Sequence, residues 1–495
     1  MHFALAILVT GIAFDLASII GWGNPPLGTA LGIAIVCAVA VLAAQTMRFG
    51  VMAVVLELLW GSHGHAVPIE LFGYSISLRM GIFLAVCGAM LWHLRKTPIR
   101  ALLWETYRTH PLRYPAGALF LSLLLAGILG MIRHPWNEVY RDANAWAFFL
   151  LMPAIVLGTI NARDRSMVLQ TLLMGAGYLL LRTYALIFVF THDLGGAWLP
   201  LYRWIRDTRL GEITFFSGGF PRIFFPSMVL LFPVLLLAGY RAMRVASIRY
   251  AMAPAMLAGA SIAVLIVSLS RSFWLALLGL GVTGCGYYAF QWLRTHAAPR
   301  CSARIALIGG MACGGIAFAA MLIWLPYPQR ITSSGLSATL TARLLTSQEP
   351  AIANRWQEIV PLRAAIAQHA IFGNGFGATV TYDSKDPRTL AAFPDGKYTT
   401  SVVEWGYLDD ALERGIIGVL IELWFLVMMI EATRRARADT AAFGYGIAGI
   451  AIVHMVSPYF NHPLGIGAIL LATAMVASTE KTPTAGAAVG VLSGS

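Results

Sequence analysis

The chain has 495 residues, of which 58% are hydrophobic and only 12% are charged, and its mean hydropathy is +0.72. About a quarter of the residues in soluble domains are charged, so this composition excludes soluble globular, disordered and fibrous proteins. The formal net charge of +12 does not indicate a nucleic-acid partner, because most basic residues lie in short connections between apolar runs, as the positive-inside rule describes for membrane proteins.

In chain order, the apolar runs predict about fourteen membrane-spanning helices, since about 20 residues cross a bilayer. The runs cover 3–20, 28–45, 48–60, 74–94, 115–132, 144–161, 167–191, 222–239, 251–269, 271–290, 304–325, 411–431, 442–457 and 462–478. The predicted fold is an all-α, polytopic transmembrane helix bundle of about 12–14 helices. No Lys or Arg precedes the first run, so we expect a retained helix rather than a cleaved signal peptide.

Basic connections set the predicted orientation. The arginine-rich connections are 95–114, 240–250, 291–304 and 434–437. Alternating crossings place all four on one side, which the positive-inside rule makes the cytoplasm. Both termini are then expected in the cytoplasm.

Two long segments, 192–221 and 326–410, are expected on the opposite side. We predict a transmembrane part over 1–325 that includes segment 192–221. A large loop with amphipathic helices follows over 326–410, between the eleventh and twelfth helices. C-terminal helices follow over 411–480 and a disordered tail over 481–495. Both long segments carry arginines, which indicates an anionic ligand there; the alternative is that long loops are exempt from the charge bias.

Two arginines are candidate ligands for a diphosphate. Arg271 lies in the motif 268–274, between two apolar runs that leave no room for a loop. A charge at membrane depth usually faces a cavity or a partner, and a guanidinium pairs bidentately with phosphate oxygens. Arg222 follows Gly218, Gly219 and Pro221, which indicates broken backbone that lines a cavity. The alternatives are a snorkelling arginine at 271 and an interfacial anchor at 222.

The large loop contains a predicted amphipathic helix over 354–370 and a glycine cluster over 373–377. The glycines would let backbone N–H groups approach a phosphate, although helix termination explains them equally well. The loop ends at three acidic residues that are candidates for a base that removes a proton from a sugar hydroxyl, namely Glu404, Asp409 and Asp410.

The remaining polar residues give weaker signals. His63 and His65 form a His-x-His pair without a third ligand nearby in the sequence, and the five cysteines lack metal-ligand spacing; we therefore expect no metal site. Four charged residues interrupt apolar runs and are expected to pair inside the bundle: Asp15, Glu57, Arg79 and Arg182.

Three stretches together resemble the O-antigen ligase and O-antigen polymerase superfamily of bacterial membrane glycosyltransferases. They are the motif 268–274, the stretch 221–226, and the block that runs from Arg355-Trp356 through Gly373–Gly377 to Tyr407-Leu408 and Gly415–Gly418. Their order and the large outward loop before the last helices also fit. The resemblance covers roughly residues 200–430.

The resemblance implies an inverting, metal-independent glycosyltransferase of the GT-C architecture without a cofactor. Its donor would be a glycan on undecaprenyl pyrophosphate at the periplasmic face of the inner membrane, and chain-length regulators and flippases are possible partners. Arg222 and Arg271 would hold the pyrophosphate, and Arg343 or Arg355 would assist from the loop.

One departure favours a polymerase over a ligase. Ligases of this family place a histidine and an asparagine shortly before the Tyr-Leu pair, whereas this chain has Glu404 and Trp405 there. The leading expectation is therefore a polymerase of lipid-linked repeat units, and a ligase that transfers glycan to lipid A-core or protein is the alternative. A flippase or transporter is the alternative of another class, although the inverted repeats typical of transporters are not evident.

Overall fold

The computed structural model describes residues 2–71, 73–216, 220–295, 302–331, 337, 339–341, 350–384 and 387–477. The helices of the N-terminal half are α1 His2–Gly23, α2 Pro25–Gln45, α3 Met47–Trp60, α4 Leu78–His93, α5 Thr97–Thr109, α6 Arg113–Arg133, α7 Trp136–Trp146, α8 Met152–Thr159, α9 Ala162–Thr191 and α10 Trp198–Asp207. Those of the C-terminal half are α11 Leu231–Arg244, α12 Ile248–Val267, α13 Arg271–Thr295, α14 Ser302–Trp324, α15 Pro350–Gln368, α16 Pro387–Ala392, α17 Gly406–Arg435, α18 Ala438–His454 and α19 Pro463–Ala477.

The chain is a multi-pass membrane protein by the length and composition of its helices. Among the described residues, nine helices are long and apolar enough to cross a membrane. A tenth span results if the pair α4 and α5, bent by 108°, is taken as one. The predicted all-α polytopic bundle is confirmed at this level. The finer number of 12–14 crossings stays a prediction, because α3 and α19 have only 14 and 15 residues.

Local sequence explains where several helices begin. Asn24 accepts a hydrogen bond from the Leu27 N–H (3.2 Å), and Pro25 occupies the first turn of α2. Ser77 caps α4 in the same way through the Met80 N–H (3.2 Å). Side-chain oxygens at these positions satisfy N–H groups that have no partner within the helix.

Short antiparallel hairpins occupy the connections. They pair β1 Ile69–Leu71 with β2 Tyr74–Ile76, β3 Glu212–Phe215 with β4 Pro221–Phe224, and β5 Val380–Asp383 with β6 Lys397–Thr400. The β3–β4 hairpin brings Arg222 opposite Thr214. Broken, non-helical backbone therefore flanks Arg222, as the glycines and prolines around it predict.

Two predicted long segments lie at the same end of the bundle, which we call the outer end. His192 and Arg330 form a β-bridge, and the Asp193 N–H donates to the Gln329 carbonyl (2.7 Å). Segment 192–221 and the start of segment 326–410 are therefore in direct contact.

Basic residues collect at the other end. Arg304 donates to the carbonyls of Met243 and Ala246, and Asp439 lies near both Arg165 and Arg241. Connections that the sequence predicts on one side of the membrane are therefore in contact. This agrees with helices that cross the membrane in alternating directions.

The charged residues inside apolar runs are paired as expected. Arg182 contacts Asp15 (3.0 Å) and Arg79 contacts Glu57 (2.7 Å). Each pair joins two helices or a helix and its neighbouring connection, so a charge inside the bundle is not left uncompensated.

Candidate functional site

Arg222 lies directly against the turn that precedes Arg271. Its Nε donates to the carbonyl of Ser268 (3.2 Å), and its guanidinium stacks on the ring of Phe224 (4.7 Å to the centroid). Its Nη1 also lies 3.6 Å from the Glu212 carboxylate. The two arginines that the sequence singles out therefore belong to one region of the outer end, although 48 positions separate them.

The turn between α12 and α13 is tight, as its sequence predicts. Leu269 is fully buried and has φ 54°, in the left-handed region that a leucine rarely adopts. Hydroxyl groups hold the turn: Ser268 Oγ donates to the Leu265 carbonyl (2.8 Å), and Ser270 and Ser272 Oγ atoms are 3.0 Å apart. The serines thus fix the start of α13, and with it Arg271 in the first position of that helix.

The three predicted base candidates lie at the start of α17 but have different surroundings. Glu404 is half-exposed and forms an ion pair with Arg355. Asp410 is fully buried and accepts hydrogen bonds from His454 Nε2 (2.8 Å) and from Arg414. Asp409 is also buried; its Oδ2 accepts from the Asn461 amide (2.7 Å), and its Oδ1 has no partner within the described ranges.

Asp410 belongs to a buried charge network. Arg414 Nη2 donates to both Asp410 and Glu422, and the guanidinium stacks on Trp146 (4.8 Å). The ligand atoms of Asp410, Glu422 and His454 lie within 4.8 Å of one another, a spacing that suits a cation. Because one arginine nitrogen already bonds both carboxylates, we assign this group to ion pairing that fixes α17 against α18.

Glu358, which no sequence pattern singles out, is a further carboxylate at this place. It lies on α15, one turn after Arg355, and its Oε2 accepts the Glu404 N–H (3.4 Å). Burial, opposed by that hydrogen bond and aided by the Glu404 charge, raises the pKa of Glu358 to about 7. Its residue exposure is 2%, because the Arg355–Glu404 pair lies over it.

No protein-family model and no curated protein matches this chain.

The connection 455–462 joins the acidic and the basic parts of the site. Asn461 donates to Asp409, whereas Tyr459 lies near Arg222 and Glu212. His454 holds the connection in place, because its Nδ1 accepts the N–H groups of Tyr459 (2.9 Å) and Phe460 (3.1 Å). Carboxylates and guanidinium groups thus share one end of the molecule through the eight residues of this connection.

The glycine cluster does not hold a phosphate, contrary to one of the two predicted roles. The N–H groups of Asn374 and Gly375 donate to the carbonyls of Leu412 (2.8 Å) and Glu413 (2.9 Å), and the Gly377 N–H donates to Asp142 (2.8 Å). These donors are used within the protein. The cluster instead packs the loop against α6 and α17, at distances that only glycine allows.

Of the two loop arginines, Arg355 neutralises Glu404, and Arg343 lies outside the described residues. Arg414, which directly follows Glu413 in the sequence, forms its ion pairs with Asp410 and Glu422. Asp410 and Arg414 are four positions apart, which places them on one side of the helix, whereas Glu422 follows the non-helical Gly415. That spacing was readable in the sequence.

Proposed function

We propose that the chain is a bacterial inner-membrane polysaccharide polymerase. It transfers a glycan from undecaprenyl pyrophosphate to the next lipid-linked repeat unit, with inversion, without a metal and at the periplasmic face. The observation that carries this proposal is the hydrogen bond from Arg222 to the Ser268 carbonyl. It brings together the two stretches that resemble the family of membrane glycosyltransferases.

The chemistry needs a stabilised leaving group. When the glycan leaves the lipid, negative charge develops on the pyrophosphate, and arginines positioned beforehand stabilise that charge without reorganisation. Each charge-assisted hydrogen bond contributes about 1.5–3 kcal/mol. Arg222 and Arg271 are suited to this role because the tight turn and the β3–β4 hairpin fix their backbones.

The acceptor hydroxyl needs a base, and Glu358 is best suited to that role. A general base is most effective when its pKa lies near the working pH, and the pKa of Glu358 is raised to about 7. Glu404 is neutralised by Arg355 and Asp410 by Arg414, and Asp410 also accepts a hydrogen bond from His454 Nε2. Asp409 has one oxygen without a protein partner among the described residues, so it can orient the acceptor behind Glu358.

The expected orientation follows from charge. The end that holds Arg304, Arg241 and Arg165 is the more basic one and belongs in the cytoplasm. The outer end, with Arg222, Arg271 and the carboxylates, then faces the periplasm. A lipid-linked substrate would reach it from the outer leaflet of the inner membrane.

Alanine substitution of Arg222 or Arg271 tests the proposal. We expect each variant to lose polymer formation in cells by about 10- to 100-fold, since one charge-assisted contact of about 1.5–3 kcal/mol is removed. Arg206→Ala is the matched control, because Arg206 is exposed and paired with Asp207. Normal polymer length in both variants, at normal membrane levels of the protein, would refute the pyrophosphate role.

A further inference from the structure

A second basic group lies at the outer end and is not used by the transfer chemistry above. We call it the histidine cluster: His63, His65, His462 and Arg209. His63 and His65 come from the connection after α3, and His462 comes from the connection before α19. The rings of His63 and His462 pack edge to face, with centroids 5.4 Å apart. The third histidine that the His-x-His pair lacks in sequence is thus supplied from 399 positions further along the chain.

Two arginines act electrostatically on the cluster. Burial, then the charges of Arg79 and Arg209, lowers the pKa of His63 to about 4, although the residue keeps an exposed face. Burial followed by Arg209 and Arg79 also lowers the pKa of His65, and burial followed by Arg79 and His63 lowers that of His462 well below its ordinary value. Every charged group found to act on the three rings in the described structure is therefore a cation or another histidine.

Of the two arginines, one is compensated and the other is not. Arg79 forms its ion pair with Glu57 and donates to the Ser62 carbonyl (2.5 Å). Arg209 is exposed, and in the part of the chain that the structure describes its side chain has neither a hydrogen bond nor an ion pair. Its backbone has φ 52°, in the left-handed region. The charge of Arg209 acts on His63 and His65, and its exposed guanidinium leaves the place of an anion open beside these two rings.

Phosphate oxygens suit these donors. A guanidinium and imidazole N–H groups each donate to phosphate, and a bound anion favours the protonated form of a nearby histidine. The arginine pair and the histidine cluster also use different residues of the connection 455–462, since Tyr459 lies near Arg222 and His462 contacts His63. Two phosphate sites are what chain extension requires, because donor and acceptor both carry a lipid diphosphate.

We propose that His63, His65, His462 and Arg209 bind the diphosphate of the lipid-linked acceptor, at a site separate from the one that Arg222 and Arg271 form for the donor. The assignment of the ligand rests on the proposed function. Phosphate binding coupled to proton uptake is expected from the cluster whether or not the proposed function is correct.

Calorimetric titration of the purified full chain with inorganic pyrophosphate tests this proposal. The experiment uses the Arg222→Gln background, which weakens the donor site, at pH 6, 7 and 8. We expect binding that is at least about tenfold tighter at pH 6 than at pH 8, because neutral histidines take up protons when the anion binds. Adding Arg209→Gln or His63→Gln should weaken binding by about tenfold or more.

Two matched variants serve as controls. Arg206→Gln removes an exposed arginine that is paired with Asp207, and His369→Gln removes an exposed histidine on the large loop. Both should leave binding unchanged. Binding that is independent of pH, or that Arg209→Gln and His63→Gln leave intact, would overturn the proposal.

Competition identifies the source of the phosphate. Displacement of pyrophosphate by farnesyl diphosphate, and not by phosphatidylglycerol, supports a lipid-linked diphosphate, whereas displacement by phosphatidylglycerol alone overturns the acceptor assignment. If the phosphate site exists but the proposed function is wrong, wild-type protein will bind pyrophosphate through the cluster and form no glycan product. This result differs from failure of the site, in which the cluster variants do not affect binding.

Discussion

Glu358 shows how the surroundings of one buried side chain raise its pKa. It lies on α15 beneath the Arg355–Glu404 pair, and its pKa is raised to about 7 mainly by burial. A base acts in its carboxylate form. We therefore expect kcat/KM for glycan transfer to rise as the pH increases through about 7 and to level off above it.

Replacing Glu358 by Gln should remove that acidic limb and lower kcat by about 100-fold, within the range typical of general-base catalysis. The measurement is a pH–rate profile on purified wild-type and variant protein. Glu404→Gln is the control and should keep the acidic limb. The Glu404 side chain is paired with Arg355, and the contact with Glu358 is made by the backbone N–H of residue 404. A Glu358→Gln variant that retains the limb would assign the base elsewhere.

At the level of single residues, the sequence identifies a candidate site residue when its position in the chain is itself unusual for its chemistry. Arg271 was recognisable because a charge between two apolar runs is costly. Glu358 was not, because it follows Arg355 in an ordinary amphipathic helix, and its burial and its contact with Glu404, 46 positions away, exist only in the folded protein. His462 was missed because its partner His63 lies almost 400 positions away.

At the level of elements, the glycine cluster fixes the large loop onto the bundle. Gly375 has φ 88°, and a Cβ at this position would lie 2.2 Å from the Gly130 nitrogen of α6. Gly415 has φ 67° inside α17, and a Cβ there would lie 2.2 Å from the Ile371 carbonyl oxygen. Loop and helices therefore approach each other backbone to backbone. This contact holds the start of α17, which carries Asp409 and Asp410.

Gly375→Ala should lower the thermal stability of the protein far more than Gly195→Ala. Both positions have positive φ, but a Cβ at Gly195 meets no atom within 4 Å. Each variant loses about 1–2 kcal/mol to the left-handed backbone, and Gly375→Ala adds a clash that typically costs about 1–3 kcal/mol. Thermal unfolding in detergent measures the difference. Equal melting temperatures would show that the loop is not held in this way.

The glycine cluster was visible in the sequence, but its role was not. Glycine at positive φ serves phosphate binding and close backbone packing equally well. The partners of the N–H groups decide between the two, and they come from α6, α7 and α17. Hydropathy likewise predicted the helices but not which short ones cross the membrane, since the 14 residues of α3 are fewer than a span requires.

At the level of the whole molecule, the account requires the two ends to lie on opposite sides of the membrane. Tyr74 and Tyr250 are 75% and 76% exposed and lie at opposite ends. In a background with the five native cysteines replaced by alanine, Tyr74→Cys should react with an impermeant maleimide on intact spheroplasts. Tyr250→Cys should react only after permeabilisation. Labelling of both from outside, or the reverse pattern, would contradict the periplasmic site.

We propose that arginines at the outer end hold a diphosphate leaving group while a glycan is transferred. The most direct measurement incubates the purified protein with a defined undecaprenyl-pyrophosphate oligosaccharide, with chelator present, and sizes the products. The account predicts a ladder of repeat units that is lost in Arg222→Ala and Arg271→Ala and retained in Arg206→Ala. An unchanged substrate with wild-type protein, or a ladder that persists in both arginine variants, would contradict it.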